Sequence, residues 1–352
     1  MRRRLARVAL LLLAVALFVG WRADRRTPGR ATPPQPDVEV SERVVRRDVR
    51  FPCGDATCAA WLYVSKRAAG PLPGVVMGHG FAGTRDVGLA AAAESFAEAG
   101  MAALAFDYRH FGASGGLPRQ LVDPWSQLED WRAALRWLAA QPLVDRERIA
   151  LWGSSLGGGH ALIVAADEPV RAVVAQAPLV DSSVEGEATF YGAAWAVRLL
   201  LTAWADLAWS ALGGDAVAMP AIAPQGRFGM IVDDRAHAAF ETLVQPGSSY
   251  RNAVAARSIL TFDEYDPARQ AAGIRVPVLL IASRDDRFAP FSAVERFAAG
   301  HADVTVATFP GDHFDVYAPP AADEAIAAAV AFLRAQLGAG SGATVADAGG
   351  GG

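Results

Sequence analysis

The sequence predicts an α/β fold: an open, mostly parallel central sheet with helices on both faces and a helical lid inserted over one edge. Three observations predict it. Short apolar, β-prone runs bounded by Gly, Pro or charge alternate with longer stretches of helical periodicity. Most of these runs are apolar at successive positions, as strands covered on both faces require. The alternation then stops from Asp181 to about Gln270, where helical patterns rich in Trp and Leu take its place.

Taken in order, Val44–Phe51 and Ala59–Val64 read as a leading antiparallel pair. The runs Gly74–Met77, Ala102–Phe106, Arg148–Trp152, Val170–Gln176, Val276–Ala282 and Val304–Phe309 read as the parallel strands. The clearest helix is expected over Pro124–Gln141, where Leu128, Trp131, Leu135 and Leu138 fall at helical spacing. The lid is expected over about 182–270, with helices at Ala193–Leu212 and Arg235–Val244. Arg198 and Asp206 argue against the first of these crossing a membrane. Its Trp195, Trp204 and Trp209, with Phe190 and Tyr191, line an apolar pocket or pack the lid onto the core. The folded domain is thus expected over 43–337, and no internal repeat is seen.

The two ends differ in kind from this domain. Three arginines and Arg7 precede an uninterrupted apolar run from Val8 to Trp21. That is the layout of a signal peptide or signal-anchor over 1–24, and either form places the bulk of the protein outside the cytoplasm. An uncleaved segment would tether the chain to a membrane. A Pro-rich linker is expected over 25–42 and a Gly/Ala/Ser-rich disordered tail over 338–352. The two cysteines, Cys53 and Cys58, flank a Gly54-Asp55 turn; in an exported chain they read as a disulfide, two buried thiols being the alternative. A net charge of −4 without a later Lys/Arg block gives no reason to expect a nucleic-acid partner. No Cys/His cluster has metal-ligand spacing, so neither metal nor cofactor is implied.

Chemistry is expected where strands end, because ligands of open α/β sheets bind beyond the carboxyl edge. Strand Arg148–Trp152 runs into Gly153-Ser154-Ser155-Leu156-Gly157 and then a helix. A nucleophile on so sharp a turn needs small residues two before and two after it. Gly153 and Gly157 frame Ser155 in this way, whereas Trp152 and Leu156 frame Ser154. The hydroxyl needs a base, and His313 lies in the loop after the last strand. Of the other histidines, His301 precedes that strand and reads as a solvated loop residue. His160 reads as a packing residue on the helix after Ser155, and His110 and His237 as surface or lid residues. The acid that holds the base is Asp285 or Asp286, after strand Val276–Ala282. Two backbone donors for a developing oxyanion are expected at the N–H of Leu156 and of Phe81, the latter in Gly78-His79-Gly80-Phe81, where His79 orders the loop.

Together Gly78-His79-Gly80-Phe81, Asp107-Tyr108-Arg109-His110-Phe111-Gly112, Gly153-Ser154-Ser155-Leu156-Gly157 and Gly311-Asp312-His313-Phe314 resemble the α/β-hydrolase superfamily over about 44–337. They are most similar to its bacterial esterase-like and Xaa-Pro dipeptidyl-peptidase-like branches. The resemblance favours Asp286, because the family's acid commonly stands four residues before a Pro that follows an apolar position, here Ala289-Pro290. It also implies that Asp107 and Arg109 brace nearby loops. The dienelactone-hydrolase branch carries Cys at the nucleophile and this chain does not; the fungal polyketide-transferase branch looks similar too. The expected function is hydrolysis of a small-molecule carboxylic ester through an acyl-enzyme with Ser155, His313 and Asp286. Xaa-Pro peptide cleavage, thioester cleavage and acyl transfer are alternatives on the same residues. A non-catalytic binding module is the alternative of another class.

Overall fold

A computed structural model of the chain describes residues 30–181 and 192–338. The basic apolar segment at 1–24, Phe190, Tyr191 and nearly all of the expected tail lie outside the described residues. In order, the sheet strands are β1 (Val38–Glu39), β2 (Val44–Cys53), β3 (Ala56–Ser65), β4 (Leu72–Gly78), β5 (Ala102–Phe106), β6 (Val144–Ser154) and β7 (Val173–Gln176). The insertion contributes four two-residue strands, β8 (Ala218–Met219), β9 (Ile222–Ala223), β10 (Ile231–Val232) and β11 (Val254–Ala255). Strands β12 (Val278–Ser283) and β13 (Val304–Phe309) complete the sheet. The order across it is β1-β2-β3-β5-β4-β6-β7-β12-β13. The first three strands join antiparallel to each other and to β5, and the remaining six run parallel.

The main helices are α1 (Ala90–Glu98), α2 (Pro124–Ala139), α3 (Leu156–Asp167), α4 (Ala193–Ala211), α5 (Asp234–Leu243), α6 (Pro267–Gln270), α7 (Phe291–Ala299) and α8 (Ala321–Leu337). Helix α2 starts where its sequence says it should: the Asp123 carboxylate accepts from Trp125 N–H and Pro124 occupies the first turn. The sheet is covered on both faces, which is why β4, β5 and β7 are buried at every position. Trp131 of α2, Leu162 of α3 and Phe106 share one core, and Phe96 of α1, Leu333 of α8 and Trp152 share the other. Burying large side chains such as these stabilises by about 1.5–3 kcal/mol each.

Two expectations change. The insertion is not purely helical: β9 pairs with β10 in parallel and β8 with β11 antiparallel. Strands of two residues are too short to leave a periodicity in sequence. The Pro-rich stretch does not run free from residue 30 onward. Arg50 donates to Thr32 O at 2.7 Å, Asp48 accepts from Gln35 N at 2.8 Å, and β1 pairs with the edge of β2. Polar groups on β2 supply partners that Pro itself lacks. Cys53 and Cys58 form a disulfide across the β2–β3 hairpin. No described helix is long and apolar enough to cross a membrane.

The chain passes from β4 to β5 on one side and then returns across β4 to β6. Strand order therefore reverses between β4 and β6, and the register sets Gly78 directly beside Gly153. Such a reversal opens a crevice at the carboxyl ends of the strands.

Candidate active site

Ser155 sits between β6 and α3 at φ 53° and ψ −117°, a conformation an L-residue adopts only under constraint. The constraint is visible in the backbone around it. Ser155 N–H donates to Gln176 O at 2.8 Å, and Ser155 O accepts from Gly158 N at 2.9 Å and Leu179 N at 3.0 Å. A Cβ on Gly153 would collide with Gly157 O, and one on Gly157 would lie 2.5 Å from His79 O. Both glycines are thus fixed by backbone-to-backbone approach, which is the steric requirement the motif states. Ser154 points elsewhere, its Oγ 2.7 Å from Tyr317 Oη.

The structure brings Ser155, His313 and Asp286 together from the ends of β6, β13 and β12. His313 Nε2 is 3.1 Å from Ser155 Oγ, and His313 Nδ1 is 2.7 Å from Asp286 Oδ2. The Nδ1 proton donated to Asp286 leaves a lone pair on Nε2 facing the Ser155 hydroxyl. The other Asp286 oxygen accepts from Phe288 N at 2.9 Å and Ala289 N at 2.7 Å, which fixes the carboxylate. Both Asp286 and His313 are buried, whereas Asp285 is exposed in the turn.

The loop after β4 lies against Ser155. An ideal Cβ on Gly80 would be 3.0 Å from Ser155 Cβ, so a side chain there would press on the nucleophile. The N–H groups of Phe81 and Leu156 enter no hydrogen bond among the described residues. His79 Nδ1 donates to Gly80 O at 2.9 Å, while Tyr108 Oη donates to His79 O at 3.2 Å and accepts from Trp131 Nε1 at 2.8 Å. His79 Nε2 is buried without a hydrogen-bond partner among the described residues, and burial holds the ring's pKa below its ordinary value. Asp107 accepts from Arg85 N at 2.7 Å and Ala113 N at 2.9 Å, and Arg109 pairs with Asp130 at 2.7 Å. These contacts brace the loops flanking β4 and β5.

The remaining histidines stand apart from Ser155. His160 lies between Gln127 Oε1 at 3.0 Å and Tyr265 Oη at 2.8 Å, and burial lowers its pKa to about 3. His301 is held by Phe297 O, and His237 lies on α5, 3.8 Å from Glu241. His110 corrects an expectation: it is buried, not a surface or lid residue. Burial first, then Arg109 and Arg119, lowers its pKa to about 4.

A cavity open to solvent, with about 650 Å³ of empty space counting its open mouth, lies over Ser155 and His313. The lid supplies one side through Ile222, Ile231, Phe240 and Leu243, and Phe288 and Phe314 supply another. Among the described residues, no Asp, Glu, Lys or Arg lines it. The tryptophans of α4 do not line it. Trp195 packs on the core with its Nε1 donating to Gly229 O, and Trp204 is 63% exposed. Tyr317, not singled out in the sequence, closes the cavity's base. Burial pushes its phenol pKa up, so it stays protonated. Its position four residues after His313 was the available signal.

Arg287, which follows Asp286, carries no functional signal of its own in the sequence. It donates from Nε at 2.9 Å and Nη2 at 2.7 Å to Asp312 Oδ2, and from Nη1 at 2.8 Å to Asp233 Oδ2. Burial disfavours the Asp312 carboxylate, but the bonds from Arg287 outweigh it and hold its pKa below the usual carboxylate range.

A hydroxyl, imidazole and carboxylate on the carboxyl edge of a reversing parallel sheet define a hydrolase of the alpha/beta type. The chain belongs to that family: the model described as alpha/beta hydrolase fold matches residues 73–320. It is 36% identical over 289 residues to quorum-quenching protein AidA of Acinetobacter baumannii, covering 82% of this chain and 94% of AidA. A thiohydrolase of Aspergillus aculeatus is 40% identical over 116 residues, covering 33% of this chain and 36% of that one. Among solved structures, the alpha/beta hydrolase GrgF from Penicillium matches with a TM-score of 0.71 at 25% identity, covering 83% of this chain and 99% of GrgF.

Proposed function

We propose that the protein is a serine hydrolase that cleaves an uncharged carboxylic ester through an acyl-enzyme. The observation that carries this is the chain of contacts Ser155 Oγ–His313 Nε2–Asp286 beneath a cavity whose described lining has no charged side chain other than histidine. Ser155 Oγ attacks the acyl carbon as its proton passes to His313 Nε2. Asp286 holds the resulting imidazolium. The N–H groups of Phe81 and Leu156 receive the oxyanion. Collapse breaks the bond to the leaving alcohol, which takes the proton from His313. A water then attacks the acyl-enzyme, passing its proton to His313, and the acid leaves with the Ser155 hydroxyl restored. The route as written uses no metal or cofactor.

Thioester cleavage is the second reading, favoured by the likeness to the fungal thiohydrolase. Xaa-Pro peptide cleavage fits less well, since among the described residues no lining carboxylate is placed to hold a substrate ammonium. The likeness to AidA supports a quorum-quenching role as the physiological setting. The basic, apolar start and the Cys53–Cys58 disulfide support an exported protein.

Labelling with a fluorophosphonate is expected for the wild type and not for Ser155→Ala. Turnover of p-nitrophenyl esters, acyl thioesters and aminoacyl-prolyl amides then separates the readings. Turnover of the amides alone would make the ester assignment wrong. Loss of signal in a quorum reporter culture treated with wild type, and not with Ser155→Ala, tests the setting.

A further inference from the structure

Resting on that reading of Ser155, we propose that Arg287 is a positioning residue that couples the seating of lid helix α5 over the cavity to the placement of His313. The guanidinium touches neither Ser155 nor His313 directly. It reaches two carboxylates from opposite sides of the site. Asp312 immediately precedes His313 and accepts from His313 N at 2.8 Å. Asp233 caps α5, accepting from Ala236 N at 2.8 Å. Helix α5 in turn carries Phe240 and Leu243 into the cavity, and Phe240 packs edge-on against Phe314 at 5.9 Å. One cation thus joins the roof of the cavity to the loop that holds the base.

The chemistry makes this more than a surface ion pair. The Asp233 and Asp312 side chains are only 9% and 10% exposed, and Arg287 is 34% exposed. Two buried carboxylates meeting at one guanidinium attract only while that guanidinium is present. Removing it leaves like charges facing each other, one on the lid and one on the His313 loop, and the lid is driven away from the site. Arg235 contacts Asp312 and Asp315 only at 3.8 Å and is 71% exposed, so it does not replace Arg287. Lysine at 287 could not reproduce the forked contact to both carboxylates.

The test uses the full chain and compares Arg287→Met, Asp233→Asn, Asp312→Asn and the Asp233→Asn/Arg287→Met double variant. Asparagine is as good a helix cap as aspartate, so Asp233→Asn removes the charge and keeps α5 capped. Kinetics are measured on a short and a long p-nitrophenyl ester, per fluorophosphonate-titrated site, together with hydrogen exchange of peptides spanning 234–243.

Asp233→Asn should raise KM for the long ester about three- to tenfold, the difference between a charge-assisted hydrogen bond and a neutral one, with kcat within about twofold of wild type. Asp312→Asn should act mainly on kcat. Arg287→Met should alter both, and exchange in 234–243 should quicken in Arg287→Met and Asp233→Asn. Adding Asp233→Asn to Arg287→Met should restore KM toward the single Asp233→Asn value, because it removes the repulsion. Variants that lower only the titrated fraction, or losses that multiply in the double variant, would overturn the coupling. Unchanged exchange in 234–243 would overturn it too, and that readout stands even if the wild type failed to label and the hydrolase reading were lost.

Discussion

Gly153→Ala puts the geometry of the elbow to a quantitative test. The added Cβ would lie 2.5 Å from Gly157 C and 2.7 Å from Gly158 N, and nearer still to Gly157 O. All three are backbone atoms at the start of α3, so no side chain can swing aside. To reach the 3.4 Å at which ordinary contact begins, the helix start must retreat by about 0.9 Å at Gly157 C alone. Overpacking of that kind costs about 1–3 kcal/mol of stability. Misplacing a reacting group by about 1 Å costs on the order of 10²-fold in rate. The control is Gly273→Ala, a site with nothing within 4 Å of the new Cβ and no positive φ, where stability should hold or rise by about 0.4–1 kcal/mol. Urea unfolding and the rate of fluorophosphonate inactivation measure the two effects. If Gly153→Ala matched Gly273→Ala in midpoint and labelled within about threefold of wild type, the steric account of the elbow would be refuted.

Other expectations follow from the same contacts. Asp286→Asn should lower kcat by about 10⁴-fold with folding intact, because the His313 tautomer is lost, while Asp285→Asn stays within about twofold; steady-state kinetics of the pair decide which carboxylate acts. Replacing Cys53 and Cys58 together by Ser should cost about 2 kcal/mol by loop entropy, given their separation of 5 residues, seen as a lower urea midpoint. His160, with a folded pKa of about 3 against the ordinary 6.5, refuses a proton that the unfolded chain accepts. Its contribution is whole above pH 6.5 and is lost as pH falls from 6.5 toward 3, with a slope of up to about 1.4 kcal/mol per pH unit. His160→Gln should be less stable at pH 7 yet lose less between pH 7 and 5, and an unchanged slope would remove His160 as the cause.

What the sequence carried depended on the kind of constraint. Strands β4, β5 and β7 were legible because burial on both faces forces continuous apolar runs. Asp286 was separable from Asp285 only through family resemblance, since both follow the same strand; burial separates them in space. The tryptophans of α4 were compatible in sequence with lining a pocket or packing the lid, and Trp195 packs. Aromatic density says that a helix has apolar area to place, not where, and Trp204 remains largely exposed. Arg287 was illegible for a different reason. Its role exists only because Asp233 and Asp312, far apart in the chain, converge on it.

The unequal legibility of chemistry and substrate has one physical origin. The elbow and its contact with the loop after β4 are built by backbone approaching backbone, at Gly153 and Gly157, where no residue with a Cβ fits without displacement. Such positions admit one residue type, so they write themselves into the sequence. The cavity is bounded by side chains, Ile222, Ile231, Phe240 and Leu243 among them, that need only be apolar and of suitable volume. Many sequences satisfy that condition, and the segments bearing them are held by two-residue strands and by the Asp233–Arg287–Asp312 contacts rather than by the sheet. A change of substrate in this protein is therefore expected to come from substitutions in the lid. The elbow, where each replacement displaces backbone at Ser155, is closed to that route.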